Sequence, residues 1–234
     1  MKIGKIGIVR KYYRTIKPIL EDVKKAGFRH SQEDPDVVLC IGGDGTYLTA
    51  ERLYPSIPKI LIRESHTCRK CEDASVMAIL DRLKKGDFRI EEHSKLEARI
   101  SGRKRVLLAS NDIVIRNRLV TRAIRFNVSV DRKPIGDTII GDGIIASTPF
   151  GSEAYFFSVA KTTFSKGFGL ALNNPTIPRE PLLLGKSSEV LVELARNAAF
   201  VSADNDPYFT TVHPGDRITI RLSSKKARIL RFYR

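Results

Sequence analysis

The sequence predicts a two-part chain: an α/β N-terminal domain with a parallel sheet, followed by a β-rich, sandwich-like C-terminal domain. Three observations lead there. Short apolar runs alternate with helical stretches up to about residue 88, strands separated by turn residues take over after about residue 90, and the run 37–41 contains no polar position, as a strand buried on both faces requires. At 234 residues the chain can form one large domain or two small ones. The change of rhythm favours two, with an α/β domain over 1–93, a β-rich domain over 94–222, and a strand or tail over 223–234 that can return to the first domain.

In the first part, residues 5–9 read as a strand, and the spacing of Ile16, Ile19, Leu20 and Val23 follows a helix that Gly27 stops. The buried run 37–41 is the next strand, and 74–85 is an amphipathic helix with Gly86 behind it. Strands and helices in alternation imply a parallel sheet with helices against it. In the second part strands are expected over 96–100, 105–115, 123–130, 135–140, 144–147, 189–194, 200–203, 208–212 and 217–222. Ser101-Gly102, residues 131–134 and Gly141-Asp142-Gly143 supply turns between them. Pro175, Pro178 and Pro181 mark an irregular connection.

Lysine plus arginine number 41 against 26 acids, a net charge of +15. The surplus favours polyanionic partners such as nucleotides, nucleic acid or phosphorylated substrates without choosing among them, and an ionic surface of the heat-adapted kind accounts for it equally well. The basic stretches 99–105 and 225–234 read as solvated edges that guard strands, and no nucleic-acid module accompanies them, so nucleic acid is not an expected partner. No apolar stretch approaches the roughly 18 residues needed to cross a bilayer, and a soluble, cytoplasmic protein is expected.

Three cysteines are too few for a disulfide scaffold. Cys40 lies inside a buried run and reads as core. Cys68 and Cys71, a Cys-x-x-Cys beside His66, read mainly as surface thiols. Half of a zinc site, with only His93 or His30 to supply a fourth ligand, and a redox-labile pair are the lesser alternatives.

The chemistry concentrates in Gly42-Gly43-Asp44-Gly45-Thr46, which follows the buried strand and precedes a helix-competent stretch. Glycines there let amide groups approach a ligand closely, and a helix N-terminus favours negative charge, so phosphate is the natural guest. An aspartate in such a loop repels phosphate unless it holds a metal ion or accepts a proton from an attacking hydroxyl, which is the chemistry of a phosphotransferase. The plainer alternative is a tight strand-to-helix turn with Asp44 as its N-cap.

Two further motifs follow in order. Asn111-Asp112 opens the run 111–115, and Gly141-Asp142-Gly143-Ile144-Ile145-Ala146-Ser147-Thr148-Pro149-Phe150-Gly151-Ser152-Glu153-Ala154-Tyr155 joins a strand, a Ser-Thr-Pro turn and a short helix. Together with the glycine loop they resemble the signatures of the NAD kinase family. The resemblance implies phosphoryl transfer from ATP or polyphosphate to the adenosine 2′-hydroxyl of NAD, with Mg2+ or another divalent cation carried by the nucleotide and no direct protein cage for it. It assigns proton acceptance to Asp44 in a loop of Gly42, Gly43, Gly45 and Thr46. It places Asn111 and Asp112 at the ribose, Asp142 at the nicotinamide half, and Glu153, Ala154, Tyr155 and Ser158 at the adenine pocket, in a cleft between the domains. A homodimer or homotetramer is also implied.

The sequence departs from the family pattern in places. Glu153 stands where a small hydroxyl residue is common, Phe150 where threonine is, Arg63-Glu64 within 60–67 where a Gly-Ile-Asn stretch is usual, Asn173-Asn174 where a glycine pair is, and Asp204-Asn205-Asp206 where an Asp-Gly turn is. Asn can take the left-handed backbone that Gly would supply, which makes the last two changes compatible with the pattern, whereas Arg63-Glu64 and Glu153 keep two alternatives open: a non-catalytic NAD(P)-binding paralogue, and a kinase for another small hydroxyl compound.

Overall fold

Strands β1 (Lys5–Arg10), β2 (Arg29–His30), β3 (Val37–Gly42) and β4 (Lys59–Arg63) lie parallel in the order β2-β1-β3-β4 in a computed structural model, which describes residues 2–10, 15–64, 68 and 70–233. Helices α1 (Lys17–Lys25), α2 (Asp44–Leu53) and α3 (Val76–Lys85) are interleaved with them. The two-residue period of β3 decides their placement. Val37, Leu39 and Ile41 join a core with Ile19 and Val23 of α1 and Ile79, Leu80 and Leu83 of α3. Val38 and Cys40 face the other way, against Ala50 of α2. Both faces are therefore covered, and burial pushes the Cys40 thiol up. Helix α3 starts at Val76, two residues later than the expected 74, because the Ser75 hydroxyl accepts the Ala78 amide at 3.2 Å as its N-cap.

The remaining elements are β5 (Phe88–Ile100), β6 (Val106–Ala109), β7 (Asp112–Asn117), β8 (Ile124–Val130), β9 (Lys133–Pro134), β10 (Ile139–Gly141), β11 (Gly143–Ser147), α4 (Tyr155–Ala160), β12 (Phe168–Asn173), β13 (Leu182–Leu184), β14 (Glu189–Arg196), β15 (Ala199–Ala203), β16 (Thr210–Val212) and β17 (Arg217–Phe232). Residues 1–93 with 226–234 form one compact unit and residues 94–225 the other. In the second unit an antiparallel sheet runs β13-β12-β11-β7-β15-β16. Opposite it, β8 pairs with β9, β10 and β14, β14 pairs with the first residues of β17, and β5 pairs with β6. Side chains from both sets, among them Phe126, Ile144, Leu170, Val192 and Ile220, share one core, as in a β-sandwich. On the outer face of the six-stranded sheet, Phe156 of α4 packs with Val114, Ile145 and Ala171.

Several expected elements are corrected. The single strand expected over 105–115 is two strands, β6 and β7, in different sheets, and the break falls at Ser110 and Asn111. Apolar runs on either side of Ser110-Asn111-Asp112 conceal such a crossing, since both sheets bury their strands against the same core. The strand expected over 135–140 shrinks to Ile139–Gly141, after Gly136 turns the chain at φ 96°. The strand expected from 208 starts at Thr210, because the Tyr208 amide is taken by Asp206 Oδ1 at 3.0 Å. The irregular connection marked by the prolines is flanked by two strands absent from the expected set, β12 before it and β13 after it. The C-terminal stretch is strand through Phe232, where Ile229 lies parallel to Lys59 of β4 and Leu230 and Phe232 enter the core of the first unit.

One buried ion pair ties α2 to this sheet. Lys59, at 0% exposure, donates to the Glu51 carboxylate, at 2% exposure, and to the Tyr54 carbonyl at 2.6 Å. Removing one partner strands the other charge out of water, which costs about 3–5 kcal/mol, whereas an apolar pair of similar volume is close to neutral. Denaturant unfolding should accordingly show Lys59→Ala destabilised by that amount and Lys59→Met with Glu51→Leu recovering most of it. Equal stability of the single and double variants would contradict this account.

Candidate active site

The glycine loop lies where β3 ends and α2 begins. Gly43 is the N-cap with extended backbone, no side chain caps the helix, and Asp44 is its first helical residue. Asp44 is thus not the N-cap of the plainer reading. Its side chain is exposed, as is Gly45, while Thr46 is buried. Gly42 has a structural reason to be glycine: at φ 157° a Cβ built there would sit 2.3 Å from Thr46 Oγ1. The first amides of a helix point out of its end and carry partial positive charge, so an exposed carboxylate stands at a ready anion site.

The loop is braced by the segment after β4. The Glu64 amide donates to the Gly42 carbonyl at 3.0 Å, while the Glu64 carboxylate is held by the Arg10 guanidinium. Arg63 pairs with Asp73 at 3.3 Å. These two departures from the family pattern form ion pairs inside the first unit. Glu72 bonds to β4 on both sides, its amide to the Leu61 carbonyl at 2.7 Å and its carbonyl to the Arg63 amide at 3.0 Å. This fixes the neighbouring Cys71, which is joined to Cys68 by a disulfide. The expectation of surface thiols is corrected: Cys68 and Cys71 are 2% and 8% exposed, and the Cys68 sulfur lies 3.5 Å from Asp44 Oδ1. His66 lies outside the described residues, and among those described no group of three His, Cys, Asp or Glu side chains is placed to hold a metal ion.

In the second unit, Asn111 and Asp112 sit at the break between β6 and β7, at 6% and 7% exposure. A strand leaving its sheet must satisfy its amides elsewhere. Asp204 does this: its carboxylate accepts the amides of Ser110 at 2.8 Å, Asn111 at 2.7 Å and Asp112 at 3.1 Å, and its own amide donates to the Asp112 carbonyl at 2.9 Å. From the other side the Thr148 amide and the Ser147 hydroxyl donate to the Asn111 carbonyl at 2.8 and 3.1 Å, and the Thr148 hydroxyl donates to the Ser110 carbonyl at 2.6 Å. Gly151 packs onto this backbone so closely that a Cβ there would lie 2.4 Å from the Asn111 carbonyl oxygen. The side-chain oxygen of Asn111 is buried with no hydrogen-bond partner among the described residues, a costly state for a polar atom unless something is meant to meet it.

Asp142 links β10 to β11. Its carboxylate accepts Asn117 Nδ2 at 3.3 Å and Asn174 Nδ2 at 3.1 Å, and the residue is half-buried. Tyr155 opens α4, and its hydroxyl accepts Asn173 Nδ2 at 3.3 Å. The adjacent pair Asn173-Asn174 thereby connects Tyr155 to Asp142. Ser158 donates to the Tyr155 carbonyl at 2.7 Å, and Glu153, Ala154 and Ser158 are exposed. The second unit thus brings Asn111 and Asp112 together with the 147–151 turn, and Asp142 together with Tyr155. Sequence reasoning missed the roles of Asp204, Ser147 and Thr148, whose partners lie dozens of residues away.

Burial raises the Asp112 carboxyl to about 7, with Asp204 adding repulsion, and raises Asp204 to about 6 against the three amides and Lys95, which pull it down. Both groups bind protons more tightly in the folded chain than in the unfolded one, where the value is 3.8. Their contribution to stability is therefore complete below about pH 4 and is lost as pH rises through about 6 to 7. Unfolding measured across this window should show stability falling with pH, and Asp112→Asn should flatten the fall; a wild-type profile that rises instead would contradict it. Gly151→Ala should lower stability by about 1–3 kcal/mol through collision with Asn111.

A family model described as the ATP-NAD kinase C-terminal domain matches residues 110–232, just over half of the chain. An NAD kinase from Saccharolobus islandicus (strain M.14.25 / Kamchatka #1) is 30% identical over 250 residues, covering 98% of this chain and 94% of that protein. The crystal structure of an NAD kinase from Archaeoglobus fulgidus in complex with ATP superposes with a TM-score of 0.80 at 23% identity, covering 98% and 93% of the two chains. Yeast NADH kinase complexed with NADH gives a TM-score of 0.87 at 15% identity, covering 100% of this chain and 84% of that one. The two structures support the fold, an α/β part with a parallel sheet and a β-rich part, and the family model and the 30% relative go further: the chain belongs to the NAD kinase family.

Proposed function

We propose that this chain catalyses transfer of the terminal phosphoryl group of ATP to the adenosine 2′-hydroxyl of NAD, with Asp44 as proton acceptor. The observation that carries this reading is an exposed carboxylate at the first position of an uncapped helix, directly after a glycine turn, in a member of a family of NAD kinases. Helix amides and glycine backbone receive the phosphates of the donor. Asp44 takes the proton of the 2′-hydroxyl as its oxygen bonds to the terminal phosphorus and the bond from that phosphorus to the bridging oxygen breaks. The products are NADP, ADP and the proton.

Asn111 and Asp112 hold the ribose in this reading, Asp142 meets the nicotinamide half, and Tyr155 with Glu153, Ala154 and Ser158 receives the adenine. The Asn111 oxygen, without a partner among the described residues, supports the first assignment, and the half-buried Asp142 carboxylate held by Asn117 and Asn174 the second. A divalent cation such as Mg2+ would come with the phosphate donor, and Asp44 would be the carboxylate beside it. Bound there, the ion would neutralise the charge of the transferring group. A homodimer or homotetramer belongs to the same reading, as the family resemblance implies.

Purified protein with Mg2+, NAD and either ATP or polyphosphate should form NADP. Asp44→Asn should reduce the rate by about 10²–10⁴-fold, the span of general-base catalysis, and leave NAD affinity by calorimetry within about twofold. Full activity in the variant would remove Asp44 from the mechanism. Binding of NAD by the wild type with no NADP formed from either donor would establish the non-catalytic alternative.

A further inference from the structure

We infer that Asp204 is a positioning residue for dinucleotide binding, acting through Asn111 and Asp112 and touching no substrate itself. The inference rests on the proposed reading in which those two residues hold the ribose of NAD. Its basis is geometric. Three successive amides, those of Ser110, Asn111 and Asp112, converge on one carboxylate, with Oδ2 taking Ser110 and Oδ1 taking both others. Successive amides of an extended strand point to opposite sides, so this convergence imposes a turn at the point where β6 leaves one sheet and β7 enters the other.

Asp204 is itself fixed. It follows β15, it has left-handed backbone at φ 50°, and its amide returns a hydrogen bond to the Asp112 carbonyl at 2.9 Å. The carbonyls of Ser110 and Asn111 are meanwhile held from the opposite side by Thr148 and Ser147. Backbone gripped from both sides leaves the Asn111 side chain little freedom, and its buried, unpartnered oxygen is directed by that grip. A ligand contact prepared in this way loses much of its value when the support loosens, because misplacement of about 1 Å is costly.

The chemistry of replacement is specific. Asn at 204 retains one acceptor oxygen, enough for the Asn111 and Asp112 amides, but turns an NH2 group toward the Ser110 amide, so donor meets donor. Asp204→Asn should therefore weaken the grip without abolishing it, and Asp204→Ala should remove it. Neither change alters the glycine loop, which belongs to the other unit.

The test is calorimetric titration of NAD and of Mg-ATP into wild type, Asn111→Ala, Asp204→Asn and the double variant. The expected result is NAD affinity lowered on the order of ten- to a hundredfold in each single variant, with ATP affinity within about twofold of wild type. The double variant should lose less than the sum of the two single losses, since both changes act on the Asn111 contact and only Asp204→Asn also reaches Asp112. Weak binding by Asn111→Ala with normal binding by Asp204→Asn, or additive losses in the double variant, would overturn the inference while sparing the site. Parallel losses of NAD affinity, ATP affinity and melting temperature in Asp204→Asn would reduce Asp204 to a general structural role and overturn it too. Normal NAD binding by Asn111→Ala would overturn the underlying ribose assignment and the inference with it. Should Asp204→Asn not fold, hydrogen exchange in the wild type decides: the amides of 110–112 should be among the slowest in their unit and slow further with NAD, and rapid exchange there contradicts the inference.

Discussion

The two-sided burial of β3 is the constraint on which the first unit depends. Six consecutive buried residues, Val37–Gly42, leave no face for water, so helices must cover both sides and the strand must take parallel neighbours. Parallel strands return through helices, and the helix after β3 therefore begins at its C-terminal end. Gly42 and Gly43 make that junction short enough for the amide end of α2 to open directly beside the sheet. The buried Lys59–Glu51 pair then fixes α2 against β4, so the helix start carrying Asp44 sits on a rigid frame. The exposed position of Asp44 at the amide end of α2 follows from how the strand is buried.

The second unit meets a different problem. A sandwich whose chain passes between sheets must interrupt its hydrogen-bond ladders, and the interruptions at Ser110–Asn111 and at Asp142 are the places where the motif residues lie. Amides released from a ladder need acceptors, and Asp204, Ser147 and Thr148 are spent on that task and its carbonyl counterpart. The polar groups at the crossings are held by backbone on two sides, which makes them suited to meeting a ligand of fixed shape. Two buried carboxyls so close together also keep a proton near neutrality, which links this unit's stability to pH.

Much of this was legible in the sequence because it rests on local pattern. The all-apolar run 37–41, the glycine loop behind it and the switch from helical to strand rhythm near residue 90 depend on residues within a few positions of each other. What was hidden depends on distance along the chain. The break at Ser110 was masked because Val106–Ala109 and Asp112–Asn117 both bury apolar side chains, and its cause, Asp204, lies more than ninety residues away. Phe168–Asn173 was overlooked because the prolines after it outweighed its own alternation. Cys68 and Cys71 read as surface thiols because nothing nearby in sequence reveals that Glu72 is stitched to β4 and draws them inside. The final strand was read to Leu222, with a strand or tail beyond it that could return to the first domain, and that Arg217–Phe232 is one continuous strand was hidden because its two ends pair in different units.

The central claim is that the carboxylate beside the glycine turn and the amides of the helix end carry a phosphoryl group from nucleotide to sugar hydroxyl. It is tested most directly by following the atom transferred. ATP labelled with radioactive phosphorus at its terminal position, incubated with the protein and NAD, should yield label in NADP, and NAD lacking the adenosine 2′-hydroxyl should yield none. Label appearing only as inorganic phosphate, or incorporated equally into the 2′-deoxy compound, would contradict the account.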